Sequence, residues 1–143
     1  MTIAAGYSAE VRRRCDRLDR AGGWPESDPR VGTGVVGSLE AGTMMRLQVR
    51  LAEGDDRIEE ARFKVFGCSA AIASASLAAD RLGGAALAAA VGLDAAELAT
   101  ALALPDDKRA MAEQAVTAAR AAIDDACRKV GRAVTAAGSG VRR

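Results

Sequence analysis

Arg62-Phe63-Lys64-Val65-Phe66-Gly67-Cys68-Ser69-Ala70-Ala71-Ile72-Ala73-Ser74-Ala75-Ser76 changes character part-way along. Up to Phe66 it mixes bulky apolar and basic side chains, the pattern of a half-buried strand. After Gly67 the residues are small, mostly alanine and serine, which reads as a helix whose neighbours approach closely. Cys68 therefore stands where sheet gives way to helix, at a helix N-terminus, where unpaired N–H groups and the macrodipole favour negative charge. A thiol in such a place is disposed to metal ligation or sulfur exchange. The competing reading is a small residue that fills a tight strand-to-helix turn.

Before this stretch, Met45, Leu47, Val49 and Leu51 alternate with Arg46, Gln48 and Arg50, a second half-buried strand. Glu53-Gly54-Asp55-Asp56 supplies the turn between the two. Ile58, Ala61, Phe63 and Val65 make the inward face of the returning strand, and Glu60 signals a bulge or change of phase. Val31 to Leu39 reads as a glycine-rich strand, placed at the sheet edge because glycine weakens interior pairing. Ser8 caps a helix reaching about Arg20, with Val11, Cys15 and Leu18 on one face, and Ala21-Gly22-Gly23-Trp24-Pro25 stops it. The arginines of that helix make a solvated face or a docking surface for an acidic partner.

After Cys68 the helix runs to Leu82 and stops at Gly83-Gly84. A shorter helix spans Ala86 to Val91, and Asp94 caps another through about Ala103. Pro105 breaks the run, and Asp106 or Asp107 starts a long final helix to about Ala136. The expected fold is α+β: a three-stranded antiparallel sheet with helices packed on one face and a long C-terminal helix. Residues 1–136 form a single domain and 137–143 a flexible tail.

Composition removes several function classes. Twenty basic and nineteen acidic residues leave a net charge of +1, which gives no electrostatic mandate for nucleic acid or membrane. The chain has no histidine. That excludes histidine acid/base work, serine–histidine and cysteine–histidine nucleophile pairs, and histidine metal ligation. With no acid/base pair to nominate, the chain does not read as an enzyme. Cys15, Cys68 and Cys127 are widely spaced and form no C-x-x-C pair, so a reducing cytoplasm suits them better than a disulfide scaffold. No apolar run approaches the roughly 20 residues of a membrane span.

Four stretches carry a resemblance. They are Tyr7-Ser8, Val31-Gly32-Thr33-Gly34-Val35-Val36-Gly37-Ser38-Leu39, Phe63-Lys64-Val65-Phe66-Gly67-Cys68 with its small-residue helix, and Leu104-Pro105-Asp106-Asp107-Lys108. Together they resemble the iron–sulfur cluster assembly scaffold family, IscU and the N-terminal domain of NifU. That family places one ligand cysteine in an A-C-G-D loop after the first strand, a second at the position of Cys68, and a third soon after an L-P-P-V-K stretch. Here Ala41 holds the first position, Thr43 replaces the aspartate, Met111 holds the third and Ala110 replaces the histidine before it. Only Cys68 survives of the ligand set.

The resemblance implies Cys68 as the metal-binding residue, with Glu40, Asp106 and Asp107 as auxiliary ligands and the Thr43 hydroxyl and Met111 thioether nearby. Thiolate with carboxylates suits a single Fe(II) or Zn(II), whereas iron–sulfur clusters take about four thiolates. The implied cofactor is thus iron or an iron–sulfur cluster held weakly or transiently, or none. Cys68 is equally suited to accept a persulfide. Neither other cysteine replaces a lost ligand: Cys127 lies roughly 24 Å along the final helix from Met111, and Cys15 occupies a position without a ligand role. Met44 and Met45 read as strand packing.

The implied partners are a cysteine desulfurase, client apoproteins and a second copy in a homodimer that places two Cys68 thiolates around one cluster. Leu104, Pro105 and Lys108 mark a partner-binding stretch. Lys108 either stabilises a nearby thiolate or is a solvated lysine at a helix end. An Hsp70-type chaperone contact is disfavoured, because Asp106 and Asp107 put two negative charges where an apolar groove would bind. Two functions follow. One is a scaffold-like assembly protein that binds iron or sulfur transiently through one cysteine; the other is an interaction or regulatory protein that keeps the fold and partner surfaces but binds no cluster.

Overall fold

The computed structural model describes residues 6–131. Three strands, β1 (Val31–Ser38), β2 (Thr43–Leu51) and β3 (Ile58–Phe66), form one antiparallel sheet in the order β1-β2-β3. Alternation sets which side chains face inward: Met45, Leu47, Val49 and Leu51 of β2 are buried, as are Ile58, Ala61 and Phe63 of β3. The register slips between Arg50 and Leu51, which pair with Glu60 and Ile58, so Glu59 is the unmatched residue. The expected bulge thus falls one residue before Glu60.

Five α-helices accompany the sheet in the described residues: α1 (Ala9–Asp16), α2 (Ser69–Leu82), α3 (Leu87–Ala90), α4 (Ala95–Ala101) and α5 (Arg109–Lys129). In α2 nearly every side chain is buried, because β3, α1, α4 and α5 all lie against it. A helix enclosed on all sides must be apolar or small all round, which the alanine-serine composition provides. α5 packs across β1 and β2, and the fit is close. Gly32 and Gly34 of β1 pair with Val49 and Leu47, which places them on the inward face. A Cβ on Gly32 would run into the carbonyl oxygen of Ala122 and come within 2.6 Å of the Ala126 Cβ. One on Gly34 would run into the Ala118 carbonyl oxygen. Ala118, Ala122 and Ala126 recur every four residues on α5, one stripe of small side chains laid on bare strand backbone. β1 is an edge strand, as its glycines suggested, but their positive role is to admit α5.

The opposite sheet face is covered by the connection between α1 and β1. Gln48 is fully buried there. Its side chain accepts from the Trp24 N–H and donates to the Trp24 carbonyl and the Thr33 hydroxyl. Trp24 in turn lies between the Arg50 and Arg62 guanidinium groups, 4.8 and 4.3 Å from its ring centre. The same connection adds one parallel bridge to the outer edge of β3, with the Phe63 N–H donating to the Arg20 carbonyl and the Gly22 N–H to the Phe63 carbonyl.

Two boundaries differ from expectation. α1 stops at Asp16 instead of reaching Arg20, because residues 20–22 are drawn out along β3; Leu18 is left exposed. α5 stops at Lys129, where Gly131 takes φ +75°, the left-handed conformation glycine supplies after a helix end. The expected last turn of that helix, 132–136, and the expected tail, 137–143, lie outside the described residues.

The N-terminal segment is tied to α2 by charge. Asp80 accepts from Arg14 at 2.6 Å and Arg20 at 2.7 Å. Burial pushes its carboxyl up, but the two guanidinium groups together outweigh burial and hold it below its ordinary value.

Gly34→Ala should lower stability by about 3 kcal/mol, since the overlap is with helix backbone, read from the denaturation midpoint at unchanged slope. Asp80→Asn should lose about 1 kcal/mol or less at neutral pH, because the pair is partly solvent-screened. The folded-state value is depressed, so this contribution is present above the ordinary value of 3.8 and disappears as pH falls below it. Thermal melts of both proteins from neutral to acid pH should therefore converge.

Candidate functional site

Cys68 is the N-cap residue of α2, in extended conformation, half-buried, and its side chain makes no capping bond to the helix. Gly67 before it turns the chain from β3, and a Cβ there would lie 3.3 Å from both Ala71 Cβ and Thr43 Cγ2. Thr43, at the start of β2, therefore stands beside this turn. The thiol is half-buried, at the positive end of the most enclosed helix in the fold.

Two further groups approach it. Cys68, Lys108 and Asp107 all lie within electrostatic reach of the Tyr7 phenol. Burial raises the Tyr7 pKa above 10.0, and the negative charge of a Cys68 thiolate and of Asp107 adds to this, while Lys108 opposes it. Tyr7 reaches the site because Ser8 is doubly anchored. Its hydroxyl accepts from the Val11 N–H as the α1 cap and donates to the Leu102 carbonyl at the end of α4.

The second group was dismissed by sequence reasoning. Cys15, in the last turn of α1, donates its S–H to the Ser69 carbonyl at 3.5 Å, one residue beyond Cys68. Burial pushes the Cys15 thiol up, the Ser69 side chain works against this, and Asp16 and Cys68 add to the rise. Both thiols are free and half-buried. Cys127, by contrast, is buried in the α5 core.

The remaining predicted residues divide. Glu40 and Ala41 are exposed in the four-residue loop between β1 and β2. Asp106 and Asp107 are exposed in the one-turn 3-10 helix Asp106–Lys108 that precedes α5, and Asp107 alone of the expected carboxylates is coupled to the Tyr7–Cys68 pair. Among the described residues no three cysteine, aspartate or glutamate side chains come together as a metal-binding group. The expected mixed set of Cys68 with Glu40, Asp106 and Asp107 is therefore not assembled in this fold. An iron–sulfur cluster does not fit it either, since the thiols at hand fall short of the usual four.

Leu104, expected in the partner-binding stretch, is turned into the core. It is 5% exposed and belongs to the core. The cause is a left-handed turn after α4: Ala103 takes φ 50°, and the Leu104 N–H bonds back to the Ala99 carbonyl, which folds Leu104 inward. Pro105 and Lys108 remain partly exposed. Met45 is fully buried, in keeping with strand packing, and Met44 and Met111 are half-buried.

The model of the NifU-like N terminal domain family matches residues 7–133. The chain belongs to that family. Among its relatives, iron-sulfur cluster assembly protein 1 of Arabidopsis thaliana is 37% identical over 123 residues, 86% of this chain and 74% of the relative. The iron-sulfur cluster assembly scaffold protein IscU of Azotobacter vinelandii is 38% identical over 125 residues, 87% of this chain and 97% of that protein. The SufU of Fervidobacterium islandicum AW-1 superposes with TM-score 0.63 at 16% identity, covering 82% of this chain and 96% of the other. A NifU-like N-terminal protein from Brucella abortus superposes with TM-score 0.51 at 18% identity, covering 86% and 92%. These structures establish the NifU-like fold for this chain, a three-stranded antiparallel sheet with a long C-terminal helix. No helix of the described residues is long and apolar enough to cross a membrane.

Cys68→Ala removes the thiolate charge that acts on the Tyr7 phenol. Ultraviolet titration of the phenol should then show its pKa fall toward the ordinary 10.0. An unchanged Tyr7 titration would separate the two groups.

Proposed function

We propose that this NifU-like domain serves iron–sulfur cluster assembly as a carrier of sulfur, held transiently as a persulfide on Cys68 and delivered by a cysteine desulfurase. The observation that carries the reading is the half-buried Cys68 thiol at the α2 N-cap, within electrostatic reach of Tyr7, with no group of three metal-binding side chains among the described residues. A persulfide needs one sulfur atom in reach of a donor and a protein surface that controls access to it. A resident cluster needs more thiolates than the described site supplies. Iron, in this reading, is cargo that the domain meets only with donors from small thiols, client apoproteins or a second copy. The family relatives named for cluster assembly support the pathway; the donor set of this chain supports the narrower role. Its cysteines form no disulfide, which suits a reducing compartment, the cytoplasm. The domain positions and protects sulfur and is not itself an enzyme. Lys108, whose charge reaches the Tyr7–Cys68 pair, helps hold an anionic sulfur there.

A second reading is favoured by one feature. Phe66 is 54% exposed and Leu39 63% exposed, both at the end of the sheet that leads to Cys68. An interaction protein that binds a desulfurase without taking its sulfur would use such a surface.

Incubation with a persulfide-loaded cysteine desulfurase should add the mass of one sulfur atom to the Cys68 peptide, and Cys68→Ala should abolish the gain while still binding the desulfurase. Anaerobic treatment with iron and sulfide should leave no long-lived cluster absorption on the monomer. Desulfurase binding without any sulfur on Cys68 would establish the second reading instead, and a stable cluster on the monomer would overturn the first.

A further inference from the structure

α1 packs against α2, and Cys15 in its last turn reaches the first turn of the helix that Cys68 caps. The Cys15 Sγ lies 3.5 Å from the Ser69 carbonyl oxygen, in the first turn of the helix that Cys68 caps. The two thiols also couple electrostatically. Neither is sealed: each is partly exposed, and each is a free thiol. α1 is held in place from both ends, through Ser8 to the Leu102 carbonyl and through Arg14 to Asp80. The approach of Cys15 to the first turn of α2 is thus set by the fold.

From this geometry we infer that Cys15 is an internal resolving thiol, which discharges a persulfide on Cys68 as sulfide and leaves a Cys15–Cys68 disulfide. The inference rests on the reading that Cys68 accepts sulfur. In the step, the Cys15 sulfur attacks the Cys68 Sγ. A new Sγ–Sγ bond forms as the bond from Cys68 Sγ to the outer sulfur breaks. The electron pair of the broken bond leaves with the outer sulfur, which departs as hydrosulfide, and the Cys15 proton passes to solvent or to that leaving group. The outer sulfur is reduced to sulfide and the two cysteines are oxidised, so no further electron donor is needed for one turnover. Return to the dithiol takes two electrons from an external thiol reductant.

Two features suit Cys15 to this role. Its S–H is bonded to the Ser69 carbonyl, and burial favours the neutral thiol, so it waits protonated instead of competing with Cys68 for incoming sulfur. Cys68 is the thiol at the helix N-terminus with Tyr7 and Lys108 about it, so it is the one placed to receive. Cys127, buried in the core, provides an internal control.

The test loads the full chain with inorganic polysulfide in the absence of other thiols, removes the excess, and follows released sulfide together with the linkage of peptides after alkylation. The wild type should release sulfide and give a linked Cys15–Cys68 peptide, with Cys127 unlinked. In Cys15→Ser and Cys15→Ala the Cys68 persulfide should persist at least about 10-fold longer, as expected when the attacking thiol is gone. Wild-type peptide mapping requires no variant to fold, and the two substitutions check each other. Sulfur on Cys68 with equal lifetimes in wild type and variants, or without the linked peptide, would overturn this inference alone. No sulfur on Cys68 in any of the proteins would overturn the carrier reading and this inference with it.

Discussion

The distance between α5 and β1 sets everything else in this fold. With glycine at 32 and 34, the helix lies directly on strand backbone, and its Ala118–Ala122–Ala126 stripe fills the gap without a layer of larger side chains. Close approach favours dispersion contacts between many small groups, each weak and together large. It also leaves little room for adjustment, because the groups in contact are main-chain atoms that cannot rotate away. Once α5 is fixed, α2 must fit into what remains between α5 and β3, and only a helix of alanine and serine is thin enough. The orientation of α2 in turn fixes where its N-terminus emerges, and that is where Cys68 sits. A packing rule at one edge of the sheet thus decides the position of a thiol at its other edge.

What could be read from the chain followed from local periodicity. The alternation Met45-Leu47-Val49-Leu51 announces its strand because period two is visible in a few residues, and the phase change near Glu60 announces its bulge in the same way. Ser8 and Asp94 are caps in the structure as in the pattern, each accepting from the N–H of a residue in the first turn. The glycines of β1 were legible as an edge strand, but their purpose was not, since the alanines they receive lie some ninety residues away. Gly131 is different. It was an available stop signal for α5, overridden by the run of small and apolar residues beyond it.

The misplaced features share a cause: each depends on contact between segments distant in sequence. Gln48 alternates with arginines and reads as solvated, yet it is fully buried because Trp24 and its neighbours fold over that face and bond to it. α1 carries helical spacing as far as Leu18, yet it ends at Asp16 because the hydrogen bonds offered by the free edge of β3 outcompete another turn of helix. Leu104 belongs to a stretch that resembles a recognition motif, yet a left-handed turn at Ala103 commits it to the core. Cys15 was set aside for lack of a ligand role in the family. Its place beside Ser69 appears only when α1 is docked on α2.

The N-terminal segment therefore does more than cover the sheet. Its helix delivers Cys15 to the first turn of α2, and the residue just before its cap delivers Tyr7 to the Cys68 sulfur. Long-range bonds that hold it include Ser8 to Leu102, Arg14 and Arg20 to Asp80, and Cys15 to the Ser69 carbonyl. The two ion pairs are partly exposed and of the kind that contribute modestly to stability, while Val11 ties α1 to the hydrophobic core. The surroundings of Cys68 are thus built from two parts of the chain: the thiol stands on α2, and Tyr7 and Cys15 reach its neighbourhood from the N-terminal segment.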